Sequence, residues 1–266
     1  MQYLFRSWES FSSDIRSASH ILLLSDYDGT LTPIVSRPEE AILSPEVRKK
    51  IHALAEKPGF NVGIISGRSL SEVKALVEIE GIYYAGNHGL EIEGPGLKLI
   101  NPAARTAQVD IKKLTQQFSD RLRGVEGVIV EDKGLSLSIH YRLVNKSKER
   151  YVAEIFHQIT SPGLRAGKIR VTSGKKVWEI RPPIDWHKGK AVETIMRQLK
   201  ALFRSERWRT IYLGDDTTDE DAFRIIHRPQ GWSIFVGQEN ISSHADYFLN
   251  STSEVAFFLS RLLELK

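Results

Sequence analysis

The chain of 266 residues has no cysteine. That excludes disulfides, thiolate metal sites and a cysteine nucleophile, but by itself identifies no compartment. No apolar run approaches the roughly 20 residues of a membrane-spanning helix. The opening stretch mixes Arg6, Glu9 and Asp14 with its apolar side chains, so it lacks a signal-peptide core. The expectation is a soluble, cytoplasmic, monomeric protein with no membrane partner. Lysine and arginine are scattered along the chain, without a basic stripe, interleaved aromatics or a reader motif, which argues against a nucleic-acid partner. The mild positive balance, +4 with a pI near 9.1, suits a small anionic substrate better. With 41% hydrophobic and 26% charged residues, the chain has the composition of a globular protein, of one large domain or two small ones.

What is present begins with Ile21–Leu24, four aliphatic residues in a row, too short for a helix and stopped by Ser25-Asp26-Tyr27-Asp28-Gly29-Thr30. This reads as a buried strand. Two aspartates two residues apart at a strand end point to the same side and repel each other. Both stay ionised only beside a cation. Taken alone, Asp-Gly is more often a simple turn. A second acidic strand end, Gly214-Asp215-Asp216 with Asp219, favours a metal site over that turn.

The pattern predicts a helix over 3–18, then a helix from Ser44 (N-cap) and Pro45 to about Lys57, a strand at Phe60–Ile65, a helix at about 69–77 and a strand at Ile82–Ala85. Gly94-Pro95-Gly96 marks a hairpin between Leu90–Glu93 and Leu97–Ile100. Strand and helix alternate up to the hairpin, which implies a parallel sheet with helices on its faces. From about 103 to 180 the order changes. Helices at about 104–122 and 146–160 each precede two closely joined strands, near 127–131 and 135–141, then 168–172 and 176–181. This predicts a separate α+β module. The parallel order resumes with a helix at about 188–203, strands at Thr210–Leu213, Ser233–Val236 and Ala245–Leu249, and a closing helix at 253–264. The expected division is therefore 1–102, 103–181 and 182–266, an α/β core interrupted by an inserted domain, with hinges near 101–104 and 180–183.

Ligands collect at the carboxyl ends of the strands in an open parallel sheet. Those ends here hold Asp26 and Asp28, Ser66, Asn87-His88, and Asp215 with Asp219. Two acidic ends supply the oxygen ligands that Mg²⁺ takes. Ser66 reads either as a helix N-cap or as a phosphate ligand. Lys188 and Lys190 at a helix start oppose the dipole, so a buried anionic partner is expected there.

Together these residues resemble the haloacid dehalogenase superfamily of aspartyl phosphatases, whose four motifs occur in order: Asp26-Tyr27-Asp28-Gly29-Thr30, Ser66, Lys188, and Gly214-Asp215-Asp216 with Asp219. The resemblance implies a Rossmann-like parallel-sheet core with an inserted α+β cap. It also implies Asp26 as the nucleophile that forms an aspartyl-phosphate, and Asp28 as general acid and base. Ser66 and Lys188 would bind the phosphoryl oxygens. Mg²⁺ would be held by Asp26, the Asp28 carbonyl and Asp215, with Asp219 supporting or sharing that role.

Longer matches are similar to trehalose-6-phosphate phosphatases: Asp26 through Ile34, Ile65-Ser66-Gly67-Arg68, Gly86-Asn87-His88-Gly89-Leu90-Glu91, Glu179-Ile180-Arg181-Pro182, and Gly214 through Asp221. They imply hydrolysis of trehalose 6-phosphate in trehalose biosynthesis by a stand-alone form with no appended synthase domain. Cap residues for the sugar hydroxyls are His140, Arg142, Lys175 and Glu179, with Lys175, Val177 and Glu179 placed on one strand face. From the core, Arg68 and His88 are expected at the sugar phosphate. Phosphatases of glucosylglycerol phosphate, mannosyl-phosphoglycerate or sucrose 6-phosphate share this chemistry. A catalytically silent sugar-phosphate-binding module is the alternative of another class.

Overall fold

The computed structural model describes residues 1–203, 207–226, 229–238 and 242–265. In chain order the elements are β1 (Gln2–Tyr3), α1 (Trp8–Ser17), β2 (His20–Ser25), α2 (Pro45–Glu56), β3 (Phe60–Ile65), α3 (Leu70–Val77), β4 (Tyr83–Gly86), β5 (Glu91–Gly94) and β6 (Leu97–Ile100). Then follow α4 (Pro102–Arg121), β7 (Ile129–Asp132), β8 (Leu137–His140), α5 (Lys146–Arg165), β9 (Arg170–Gly174) and β10 (Val177–Arg181). The chain closes with α6 (Lys188–Leu202), β11 (Trp208–Gly214), α7 (Glu220–Phe223), β12 (Gly231–Val236), β13 (Tyr247–Leu249) and α8 (Thr252–Leu263). The chain divides into two compact units, Met1–Leu99 with Trp186–Lys266, and Ile100–Asp185.

The first unit is built on a sheet ordered β1-β13-β12-β11-β2-β3-β4-β5-β6. Its pairs are parallel from β1 through β4, and β5 returns antiparallel to β4. β2 is central and buried on both faces, which is why it reads as an unbroken apolar run. Ile21 and Leu23 face a core shared with α1, α2, α3 and α8. Leu22 and Leu24 face the opposite core, shared with α6 and α7. α2 starts as its residues dictate, with Ser44 Oγ accepting from Val47 N at 3.2 Å and Pro45 in the first turn.

The helix expected over 3–18 is shorter than the pattern suggested. Tyr3 pairs with Phe248 as an edge strand, residues 4–7 form a 3₁₀ turn, and the α-helix starts at Trp8. Ser66 is not a helix cap. Ser69 takes that position and accepts from Glu72 N at 3.2 Å.

The second unit is an antiparallel sheet ordered β7-β8-β10-β9. One face carries Leu137, Ile139, Ile180 and Trp178, and packs on Phe118, Val152, Ile155 and Phe156 of α4 and α5. Trp178 stacks between Tyr141 and Phe156, with ring centroids 4.1 and 4.4 Å away. The opposite face is polar, because alternate residues of a strand point to opposite sides. Lys175 does not continue β10. It lies with Lys176 in the β9–β10 turn, where Lys176 has a φ of 67°, so the shared face expected for Lys175 and Glu179 does not form. The proposed hinge at 101–104 is taken up by the start of α4, with Asn101 capping Ala103 N and Ala104 N.

Candidate active site

Four neighbouring parallel strands, β11, β2, β3 and β4, end at one edge of the first unit. They are followed by Asp215, Asp26, Ser66 and Asn87. Asp26 is buried, and its backbone N–H bonds Leu213 O at 2.8 Å, tying β2 to β11. Lys188, the first residue of α6, is only 2% exposed and lies 2.9 Å from Asp26 Oδ1 and 2.7 Å from Asp219 Oδ1. Burial works against its charge, but Asp219 and Asp26 outweigh that and raise its pKa. This is the buried anionic partner expected for a lysine at a helix start.

Asp219 is fully enclosed. Besides Lys188, its Oδ1 accepts from the Tyr212 hydroxyl at 2.6 Å, while Oδ2 accepts from the backbone N–H groups of Asp215 and Asp216 at 3.1 and 3.0 Å. Burial, with the Asp219 and Asp26 carboxylates adding to it, pushes the Tyr212 phenol well above its ordinary pKa, so it remains a donor.

Asp26, Asp215 and Asp219 each offer one oxygen within 4.8 Å of the others, a grouping able to hold a metal ion. Burial and the neighbouring carboxylates push Asp26 well above the usual carboxylate range, against the pull of Lys188. Burial and Asp219 push Asp215 up to about 7. Lys188 alone leaves this concentration of negative charge under-compensated, which is the condition a divalent cation relieves. The backbone is shaped to the same end. Gly29 has a φ of 85°, and a Cβ there would overlap the Asp215 carboxylate. Thr30 Oγ1 donates to Asp215 Oδ1 at 3.3 Å.

The Asp28 carboxylate stands outside this trio. Arg68 holds it by two hydrogen bonds, at 2.7 and 2.8 Å, and also bonds Glu72 and Pro38 O. Ser66 Oγ accepts from Arg68 N at 3.2 Å. His88 N bonds Ser66 O at 2.9 Å and Asn87 N bonds Arg68 O at 2.6 Å, so the β3 and β4 ends are laced together. His88 lies over Gly67, where a Cβ would sit 2.7 Å from Nε2. Asn87 and His88 both have positive φ, 51° and 56°, a costly backbone of the kind concentrated at functional sites.

In the second unit, Glu131, Ser138 and Glu179 face one another across β7, β8 and β10. His140 pairs with Glu131 at 2.6 Å, Lys133 lies 3.5 Å from Glu179, and Arg181 Nε donates to Glu179 at 2.7 Å. Arg142 and Lys175 are brought together elsewhere, by the Arg142 Nη2 bond to Lys175 O at 3.0 Å in exposed turns. Sequence reasoning missed Glu131, Lys133, Glu72 and Tyr212. The strand period would have placed Glu131 on the Ile129 face, but only the cross-strand register sets it opposite Ser138.

The trehalose-phosphatase family model matches residues 24–253, a span that includes every motif above. The chain belongs to the trehalose-phosphatase family. It is 37% identical over 264 residues to the probable trehalose-phosphate phosphatase D of Arabidopsis thaliana, covering 96% of this chain and 70% of the relative. Among solved structures, a trehalose-6-phosphate phosphatase related protein superposes with a TM-score of 0.77 at 25% identity, over 92% of this chain and 97% of that one. A haloacid dehalogenase-like hydrolase from Bacteroides thetaiotaomicron shares the fold at a TM-score of 0.63 and 17% identity, over 91% and 99% of the two chains. The mixed α/β architecture with a predominantly parallel sheet is thus that of haloacid dehalogenase-like hydrolases. Among the described residues no helix is long and apolar enough to cross a membrane.

Proposed function

We propose that this trehalose-phosphatase family member hydrolyses trehalose 6-phosphate to trehalose and phosphate through an aspartyl-phosphate, with Mg²⁺ as cofactor. The observation that carries the reading is Asp26, buried 2.9 Å from Lys188 and grouped with Asp215 and Asp219. A binding module has no need of a buried carboxylate aimed beside a lysine and an acidic cluster. Asp26, Asp215 and the Asp28 carbonyl are the residues that would hold the ion. Bound there, Mg²⁺ supplies positive charge that screens the nucleophile from the phosphoryl dianion.

Asp26 attacks phosphorus, forming a bond to the phosphoryl group as the bond to the sugar oxygen breaks. Asp28 delivers a proton to the departing oxygen, then removes one from the water that hydrolyses the aspartyl-phosphate. Lys188 and Ser66 neutralise and orient the equatorial phosphoryl oxygens. The polar face of the second unit, with Glu131, Lys133, His140, Glu179 and Arg181, offers charged partners for sugar hydroxyls, and this unit serves as the cap.

The test is Mg²⁺-dependent phosphate release from trehalose 6-phosphate, glucosylglycerol phosphate, mannosyl-phosphoglycerate, sucrose 6-phosphate and glucose 6-phosphate. Turnover of trehalose 6-phosphate well above the rest is the expected result. Preferred turnover of another member retains the mechanism and overturns the substrate. Tight binding without turnover overturns the enzyme reading.

A further inference from the structure

Asp219 has no acceptor direction to spare. A carboxylate offers about four, and here Lys188, Tyr212 and the backbone N–H groups of Asp215 and Asp216 occupy them. Ligating a metal through Asp219 therefore requires one of these donors to let go. Three of the four have evident uses: Lys188 also pairs with Asp26, and the two N–H groups close the turn after β11. The fourth, Tyr212, is fully buried on the α6 side of the sheet, edge-on to Phe223 at 5.8 Å. Its phenol brings no charge to the reacting groups, and donates instead to the very oxygen that Lys188 uses.

We infer that Tyr212 is a positioning residue that keeps Asp219 as the orienting counter-ion of Lys188 and out of the metal shell. The inference rests on the phosphatase reading above. Without the phenol, Asp219 Oδ1 gains an open lone pair, on a carboxylate grouped with those of Asp26 and Asp215. A divalent cation recruits such an oxygen, and Lys188 then loses the partner that aims it at Asp26. The loss falls on transition-state stabilisation by Lys188 rather than on sugar binding.

The experiment compares wild type with Tyr212→Phe, Asp219→Asn and the double variant. Tyr84→Phe serves as a control, since it removes a buried hydroxyl bonded to Ile79 O at 2.7 Å, away from the strand-end residues. For Tyr212→Phe, kcat is expected to fall roughly tenfold or more with KM for trehalose 6-phosphate changed by less than about threefold. By calorimetry, Mg²⁺ binds Tyr212→Phe several-fold more tightly and inorganic phosphate more weakly. Tyr212→Phe has little further effect in the Asp219→Asn background, because it acts through that carboxylate. Multiplicative effects of the two substitutions overturn the inference. So does a melting-temperature loss with kcat and Mg²⁺ affinity as in Tyr84→Phe. If Tyr212→Phe does not fold, unchanged Mg²⁺ affinity in Asp219→Asn supports the inference and a marked loss overturns it. Wild-type inactivity on the whole sugar-phosphate panel counts against the proposed function, and the calorimetric arms then decide the inference separately.

Discussion

The guanidinium of Arg68 grips the Asp28 carboxylate at two points, Nε to Oδ2 at 2.8 Å and Nη2 to Oδ1 at 2.7 Å. Arg68 is 5% exposed, lies over the Tyr27 ring at 5.5 Å, and donates as well to Pro38 O and Glu72. Four of its five N–H groups are thereby committed. In this geometry Arg68 holds the loop that presents Asp28.

Lysine cannot reproduce that fork. Arg68→Lys is expected to lower kcat roughly tenfold to a hundredfold, with KM for trehalose 6-phosphate changed by less than about threefold. Steady-state kinetics decide it. A large rise in KM at unchanged kcat would mean that Arg68 binds substrate instead.

In the proposed mechanism Asp26 is the nucleophile, and Asp26→Asn removes its charge while keeping the side chain's shape. Turnover is expected to fall by at least roughly ten-thousandfold, and no phosphorylated protein should be trapped by rapid acid quench and mass measurement. A variant retaining more than a few per cent of activity would transfer the nucleophile to another group.

The dependence on pH follows from Asp215, whose carboxyl stands at about 7 against an ordinary 3.8. A carboxyl raised on folding contributes its stability in full below the unfolded value, and that contribution is lost as pH climbs through about 7. The ionised form is the one that binds a metal. Chelator-treated protein should therefore lose this contribution progressively between about pH 4 and pH 7, and Mg²⁺ should raise the melting temperature more at pH 8 than at pH 6. Equal Mg²⁺ increments at both pH values would count against Asp215 as a ligand.

Glu179→Gln keeps the shape of the polar face in the second unit but removes the charge facing Lys133 and Arg181. The expected result is a rise of roughly tenfold in KM for trehalose 6-phosphate, with kcat on glucose 6-phosphate unchanged. Comparing the two substrates side by side checks it. An equal loss on both would make Glu179 a structural residue of the second unit.

Much of the fold was legible because its signals are local. Phe60–Ile65 coincides with β3 because a strand buried largely on both faces needs a mostly apolar run, broken here only by the half-buried Asn61. Ser44-Pro45 marked the start of α2 because capping is decided within a single turn. The site was legible for a related reason. Polar groups that follow buried parallel strands converge at one sheet edge whatever the connecting loops do.

Where the reading failed, a distant partner overrode the local pattern. Tyr3 fell within the helix expected over 3–18, but its partner is Phe248, at the far end of the chain. Lys175 continued the alternation of β10 on paper, whereas the hairpin places the turn at Lys175-Lys176.

By itself, then, the sequence determined which strand ends carry acid and hydroxyl and which helix start carries lysine, since that follows from hydrophobic period and order along the chain. Only the tertiary structure decided how those groups divide their hydrogen bonds: Asp28 to Arg68, and Asp219 to Lys188, Tyr212 and two backbone N–H groups. The reason is physical. A carboxylate has few acceptor directions, and which donors fill them depends on packing between residues far apart in sequence.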